Sequence, residues 1–200
     1  MVMLTIKTDF QGVQNRLNQI SADLQKRVIP AALNKTIAKA NTSMVREITS
    51  TYNIKAVDVR ARLRVIRATK DFKKWKAILD PFAGGKRGRA LNVIKFAEKK
   101  ITLAEGRRRA KAGTADQLRF QIKKIGGKKT IQGAFIGNKG RTIFERTGDA
   151  RLPIKPVTTI DVPQMFNTRR INAVVVKRIN DELAIEFDRA IRAAMTGSIR

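Results

Sequence analysis

Apolar residues recur every three or four positions in the N-terminal part of the chain, the spacing that places them on one face of an α-helix. A first stripe comprises Val13, Leu17, Ile20, Leu24 and Val28, and a second comprises Leu33, Ile37, Ala40, Met44 and Ile48. Pro30 lies between the stripes, and a proline inside a helix removes a backbone hydrogen bond. The pattern predicts two consecutive helices, or one kinked helix, in an N-terminal helical region over residues 1–54.

The central part of the chain changes to short runs that are typical of β-strands. These strand-like segments are Val65-Ile66, Trp75–Leu79, Phe120–Ile122, Thr130–Ile136 and Thr142–Phe144. Gly126-Gly127 and Asn138-Lys139-Gly140 separate the later segments and have the residue types of hairpin turns. We therefore expect a small, mostly antiparallel β-sheet.

The C-terminal part of the chain returns to helical spacing. Its apolar face consists of Val176, Ile179, Leu183, Phe187, Ala190 and Ala194. This pattern predicts a long C-terminal helix over residues 168–196 that packs on the sheet. The order of helices, strands and helix indicates an α+β fold, with residues 55–200 forming an α+β domain.

Charge is the least ordinary feature of the composition. The chain carries 43 Lys and Arg against 16 Asp and Glu, a net charge of +27, although 42% of its 200 residues are hydrophobic. That hydrophobic content is sufficient for a folded core, so the charge belongs to the surface of a folded protein. A surface of this sign attracts a polyanionic partner.

The basic residues concentrate in glycine-containing stretches that are predicted to be loops, above all the basic loops at residues 84–113. The candidate DNA-binding residues are Lys86, Arg87, Arg89, Arg107, Arg108, Arg109, Lys111, Lys123, Lys124, Lys128 and Lys129. Each cation can neutralise a phosphate and release a counterion, which favours contact with double-stranded DNA without sequence specificity. The alternative interpretation is a solvated face, or a face that pairs with acidic subunits.

The sequence lacks the residues of most enzymatic sites. It has no Cys and no His, which excludes thiolate and imidazole chemistry. The carboxylates Asp181, Glu182, Glu186 and Asp188 alternate with arginines at helical spacing, so we interpret them as surface ion pairs and not as a metal site. No glycine-rich stretch has the spacing of a nucleotide-binding loop. We predict a protein without enzymatic activity, cofactor or metal.

Hydropathy also argues against a membrane partner. The apolar run Ala173–Val176 is far shorter than the roughly 20 residues that cross a bilayer. The first residues do not contain the charged leader and apolar run of about 7–15 residues that mark a secretion signal. We expect the protein to stay in the compartment where it is made.

Several short segments occur in an order that is more specific than any one of them. They are Ala31–Ala38, Met44–Ile48, Gly133–Ile136, Ile143–Gly148, Arg151–Val157 and Val162–Phe166. In this order the chain resembles the minor tail protein Z family of tailed bacteriophages and prophages, from about Leu33 to Phe166. The basic loops at 84–113 depart from the family pattern, so no loop role is carried over.

The resemblance implies a structural virion protein that completes or caps the tail tube near its head-proximal end, where the end of the packaged DNA arrives. The implied partners are phage tail-tube and tail-terminator proteins and further copies of the chain in a homo-oligomeric ring. The implied location is the virion tail, assembled in the cytoplasm of the bacterial host. Basic loops facing phage double-stranded DNA agree with the charge of the chain.

Four residues are candidates for assembly contacts: Phe144, Arg146, Arg151 and Pro153. The two arginines flank the predicted strand and turn, where guanidinium groups suit backbone carbonyls or the acids of a neighbouring subunit.

Two further hypotheses stay open. A nucleic-acid-binding protein of nucleoid type, without sequence specificity, explains the charge without a ring. A DNA-processing enzyme needs clustered carboxylates that hold a metal.

Overall fold

The computed structural model describes residues 20–71, 75–81, 90–97, 108, 111–112, 119–131, 134–148, 150 and 152–198. Within them the chain has the predicted α+β fold, with an N-terminal helix, small antiparallel sheets and a long C-terminal helix. The helices are α1 (Ala22–Thr51), α2 (Ala56–Arg60), α3 (Val162–Phe166) and α4 (Arg169–Met195). The strands are β1 (Arg64–Ile66), β2 (Ile78–Asp80), β3 (Leu91–Asn92), β4 (Arg119–Phe120), β5 (Lys129–Thr130), β6 (Phe135–Gly137), β7 (Thr142–Arg146), β8 (Ile154–Pro156) and β9 (Thr158–Thr159).

Helix α1 continues through Pro30, so the structure has one helix where the sequence allowed two. The helix begins after Ser21, whose Oγ accepts a hydrogen bond from Leu24 N at 3.4 Å. Pro30 lies inside the helix and is buried, so the helix accommodates the backbone donor that proline lacks. The part of the first apolar stripe before Ile20 lies outside the described residues. The division of the chain at residue 54 stays a prediction.

Helix α4 packs antiparallel along α1. Val28 and Ala32, near the start of α1, cluster with Phe187 near the end of α4. Ile48, near the end of α1, belongs to the same core cluster as Ile171 at the start of α4. Ile171 and Val175 of α4 share this cluster with Leu91 of β3, and Leu79 of β2 packs against it, so the predicted packing near the strands is present, but the main partner of the helix is α1. An apolar stripe identifies the buried face of a helix but does not identify the element that covers it.

The strands form several small antiparallel sheets. β1 pairs with β2, β3 with β9 and β4 with β5, and β6, β7 and β8 form a three-stranded meander. The predicted turn joins β6 to β7, and Asn138, Lys139 and Gly140 adopt positive φ angles of 50°, 53° and 79°, which asparagine and glycine tolerate best. One face of the meander covers a cluster formed by Val93, Phe120, Ala134 and Ile143.

Two asparagine side chains connect elements that are distant in sequence. Asn34 of α1 donates through Nδ2 to Ala68 O at 3.0 Å and accepts through Oδ1 from Ala68 N at 2.8 Å. Asn92 of β3 makes the same pair of bonds with Ile143 of β7, at 3.0 Å and 2.9 Å. Each amide thus binds both backbone groups of one residue, as a neighbouring strand would.

Helix α3 begins with a capping box and leads directly into α4. Asp161 Oδ1 accepts from Gln164 N at 2.9 Å, and Gln164 Oε1 accepts from Asp161 N at 3.1 Å. Pro163 occupies the first turn, where a helix needs no backbone donor. The apolar residues Val162, Met165 and Phe166 are buried in the main core, which fixes the direction in which α4 begins.

Candidate nucleic-acid and assembly surfaces

One basic surface in the described part of the chain is the β4–β5 hairpin, residues 119–130, which we name the basic hairpin. Arg119 pairs with Thr130, and Phe120 with Lys129, so the intervening residues form its loop. The segment contains five cations and no acid. Four predicted DNA-binding residues, Lys123, Lys124, Lys128 and Lys129, come together here, and all four are exposed.

Backbone hydrogen bonds hold the first half of the basic hairpin against the C-terminal end of α1 and the residues that follow it. Lys124 N donates to Thr51 O at 3.0 Å, and Asn53 N donates to Ile122 O at 2.9 Å. Phe120, at the base, is 3% exposed and packs in the cluster beneath the meander. The lysines are therefore displayed from an anchored scaffold.

The remaining predicted basic residues fall in a different part of the chain. Arg108 and Lys111 are both exposed and both helical in conformation, and Ala112 N donates to Arg108 O at 3.0 Å. The others, Lys86, Arg87, Arg89, Arg107 and Arg109, lie outside the described residues.

A second surface is the face of the meander that points away from the core, which we name the meander face. Phe135 and Phe144 are cross-strand partners whose rings stack with centroids 6.0 Å apart. Arg146 extends along the same face and places its guanidinium carbon 4.9 Å from the Phe135 ring centroid. Ile154 and Pro156 of β8 lie opposite Arg146 and Phe144. The result is a partly exposed surface of apolar groups with a cation at its edge.

The predicted assembly residues fall around this surface. Phe144 and Arg146 belong to the meander face, and Pro153 lies in the connection from β7 to β8. The Pro153 carbonyl accepts from Thr147 N at 3.2 Å and from Thr147 Oγ1 at 2.8 Å, which closes that connection. Arg151 lies outside the described residues. The structure thus brings three of the four residues to one sheet.

A charged network crosses the interface between α1 and α4. Lys39 Nζ lies 2.5 Å from Glu182 Oε2 and 2.6 Å from Glu186 Oε1. Arg178 and Arg189 complete the pairing at 2.7 Å and 2.6 Å. The predicted ion pairs with arginines are therefore present, but Glu182 and Glu186 are only 6% and 4% exposed, so the prediction that these two carboxylates lie on the surface is wrong. The sequence contained a signal for this burial, because Glu182 and Glu186 precede Leu183 and Phe187 of the predicted apolar face directly.

The network shifts the titration of its members. Hydrogen bonding from Lys39, with a smaller contribution from Arg189, holds the pKa of Glu186 below its usual value although burial opposes this. Hydrogen bonds to Glu182 and Glu186 raise the pKa of Lys39. Both directions favour the charged pair, so the arrangement is a structural clamp between two helices.

The described part of the chain does not contain a metal centre. No group of three or more Asp or Glu side chains in it is placed to hold a metal ion. Among the same residues, no helix has the length and hydropathy needed to cross a bilayer.

The fold and surfaces thus define a strongly basic α+β protein with a basic hairpin and an aromatic sheet face. Comparison with protein families places it further: the model of a family described as prophage minor tail protein Z matches residues 9–197. The chain therefore belongs to this family of phage minor tail proteins, which confirms the resemblance of the short segments. No curated protein and no solved structure matches the chain.

Proposed function

We propose that this protein is a tail completion subunit that works without enzymatic activity at the head-proximal end of a phage tail tube. The observation that carries the proposal is the family match, which extends over residues 9–197 and so includes both long helices and the meander. Its proposed partners are the tail-tube and tail-terminator proteins and further copies of itself in a ring. It is assembled in the host cytoplasm and resides in the virion tail.

We further propose that the ring contacts the end of the packaged double-stranded DNA through its basic residues. A net charge of +27 on each subunit is costly to gather in a ring unless counter-charge is present. Phosphates in the conduit supply that counter-charge, and lysines on exposed loops suit them because they need no fixed geometry.

The assembly contact is assigned to the meander face with Arg151 and Pro153. Phe144 and Phe135 offer apolar area for a neighbouring subunit, and Arg146 offers a planar cation for one of its acids. This surface is separate from the cluster that the opposite side of the meander covers.

Deletion of the gene tests the tail role. We expect heads and mostly formed tails to accumulate while infectious particles fall sharply, and plasmid-borne wild-type protein to restore infectivity. Electron microscopy of the deletion lysate identifies the stage that fails. Normal infectivity of the deletion mutant contradicts the proposal.

The second candidate function is that of a nucleoid-type protein that binds nucleic acid without sequence specificity, and the charge of +27 is the observation that favours it. It predicts tight DNA binding by an isolated monomer with a steep dependence on salt. The tail role predicts weaker DNA binding together with self-assembly or docking to the tube. Mass measurement in solution, with and without duplex DNA, separates the two.

A further inference from the structure

The tip of the basic hairpin carries an exposed apolar side chain. Ile125 is 90% exposed, the largest exposed fraction of any large hydrophobic residue in the described part of the chain. Its neighbours are cationic on both sides, with Lys123 and Lys124 before it and Lys128 and Lys129 after it. An isoleucine in this position contributes nothing to the core, and its side chain is accessible to a partner together with the four lysines.

Hydrogen bonds fix the shape of this tip. The Gln121 side-chain amide donates through Nε2 to Lys124 O at 3.0 Å and to Gly126 O at 3.0 Å, and so braces the loop on both sides of Ile125. Bonds from Lys124 N to Thr51 O and from Asn53 N to Ile122 O tie the same loop to the end of α1. The isoleucine is therefore presented by an ordered loop, which lowers the entropy lost when it binds.

We propose that the basic hairpin is a duplex-DNA-binding element in which Ile125 makes an apolar contact with sugars and base edges while the flanking lysines bind phosphates on either side. A ribbon with cations along both flanks matches two phosphate chains separated by a groove, and an apolar wedge at its tip contacts the surface between them. The proposal deepens the DNA contact of the proposed function and rests on it for the source of the DNA.

An anionic membrane is the other surface that attracts lysines beside an exposed apolar residue. Stable attachment to a bilayer takes a larger apolar surface or a second anchoring signal. The basic hairpin offers a single exposed isoleucine, and the next residues are Gly126 and Gly127. DNA is therefore the partner that its chemistry favours.

The test measures binding of the full chain to a random-sequence duplex across a series of salt concentrations. One variant replaces Lys123, Lys124, Lys128 and Lys129 by Gln, and a second carries Ile125→Ser. The four-lysine variant should reduce the log–log salt slope by up to about 3.6, since each phosphate contact contributes about 0.9. Ile125→Ser should weaken binding by about 10-fold at every salt concentration with an unchanged slope, because an apolar contact releases no counterions.

Matched controls distinguish the effect of the hairpin residues from the effect of changing the net charge or the exposed apolar surface of the protein. Replacing Lys35, Arg46, Arg169 and Arg170 by Gln removes the same charge from exposed positions on α1 and α4. Val57→Ser removes another exposed apolar side chain, which is 66% exposed. Both controls should lose less affinity than their hairpin counterparts, and circular dichroism should show that every variant keeps its helices.

Three results overturn the proposal. The first is that Ile125→Ser binds DNA with wild-type affinity. The second is that the control charge variant loses as much salt slope as the four-lysine variant. The third is that Ile125→Ser weakens binding to phosphatidylglycerol vesicles but not to DNA. None of these bears on the deletion phenotype. The tail role therefore survives a failure of the hairpin proposal, and purified protein can show the hairpin contact even where the deletion mutant is fully infectious.

Discussion

Phe187 shows how one side chain joins the two long helices. It is 2% exposed and packs with Val28 and Ala32 of α1 and Ala190 of α4. The ring fills a packed cluster between the two helices, so its removal leaves a cavity into which the neighbouring side chains relax only in part. Phe187→Ala should lower the free energy of unfolding by about 3–5 kcal/mol, measured by urea denaturation. Ile185→Ala, at a position that is 46% exposed, is the control, and an equal loss there would contradict this packing.

Gly137 is the point where the backbone of β6 passes beneath an aromatic ring. A Cβ built there would lie 2.9 Å from Cδ2 and Cε2 of Phe144, closer than carbon atoms approach. Gly137→Ala must therefore displace the ring from its stack on Phe135, and we expect a loss of about 1–3 kcal/mol in thermal unfolding. Gly148→Ala, where the added atom meets nothing within 4 Å, should be close to neutral. Equal stability of both variants would show that the ring moves freely.

At the scale of elements, the α1–α4 pair combines an apolar seam with a buried charge clamp. Lys39→Met leaves Glu182 and Glu186 buried with one cation fewer, so the melting temperature should fall. Lys177→Met is the control, because its ion pair with Asp181 is exposed and such pairs contribute little. The control should melt within a few degrees of the wild type.

The clamp also predicts how the effect of Lys39→Met varies with pH. The pKa of Glu186 is lowered from 4.5, so its stabilising contribution is present above that value and is lost as the pH falls through the folded-state pKa. The pKa of Lys39 is raised from 10.5, so its contribution is present below that value and is lost as the pH rises through the folded-state pKa. The difference in melting temperature should be largest between these limits and shrink on acidification. A constant difference from neutral pH to pH 3 would rule out the clamp.

Elements with a long hydrophobic period were predictable from the sequence, and their partners were not. The stripes of α1 and α4 identified both helices, because thirty or so residues at a constant period leave few alternatives. The glycine-containing turn of the β6–β7 hairpin was also evident. Strands β3 and β9 are two residues long, which is too short for any period to show. The two strands pair across more than 60 residues of sequence, and Asn92 of β3 is bonded in addition to Ile143 of β7. Sequence spacing does not reveal such long-range contacts.

The candidate surfaces were predictable in composition but not in arrangement. Charge alone selected the four lysines of the basic hairpin, whereas the exposure of Ile125 among them appears only when the loop is folded. Likewise Phe144 was a strand residue in the sequence, and its stack with Phe135 follows from the register of β6 against β7. Cross-strand neighbours are set by register, which the turn fixes.

At the scale of the whole molecule, the charge of +27 must be balanced by DNA, by acidic tail subunits or by solvent ions. Substitutions in the arginine-rich segment around Arg108 test which of the three balances the charge. This segment is separate in sequence from the basic hairpin, so it can be changed without altering the hairpin lysines. Replacing Arg107, Arg108, Arg109 and Lys111 by Gln removes up to four phosphate contacts, so the log–log salt slope on duplex DNA should shrink by up to about 3.6. Fold stability should barely change, since removing like charges relieves their mutual repulsion.

Incorporation into particles provides the second measurement on this variant. If the segment faces DNA, the variant should enter tails normally and bind duplex DNA with the smaller slope. If it faces acidic tail subunits instead, DNA binding should be intact while incorporation, followed by immunoblot of purified particles, is lost. A variant that is normal in both measurements would show that the segment is a solvated face, and the basic hairpin would then remain as the proposed DNA contact.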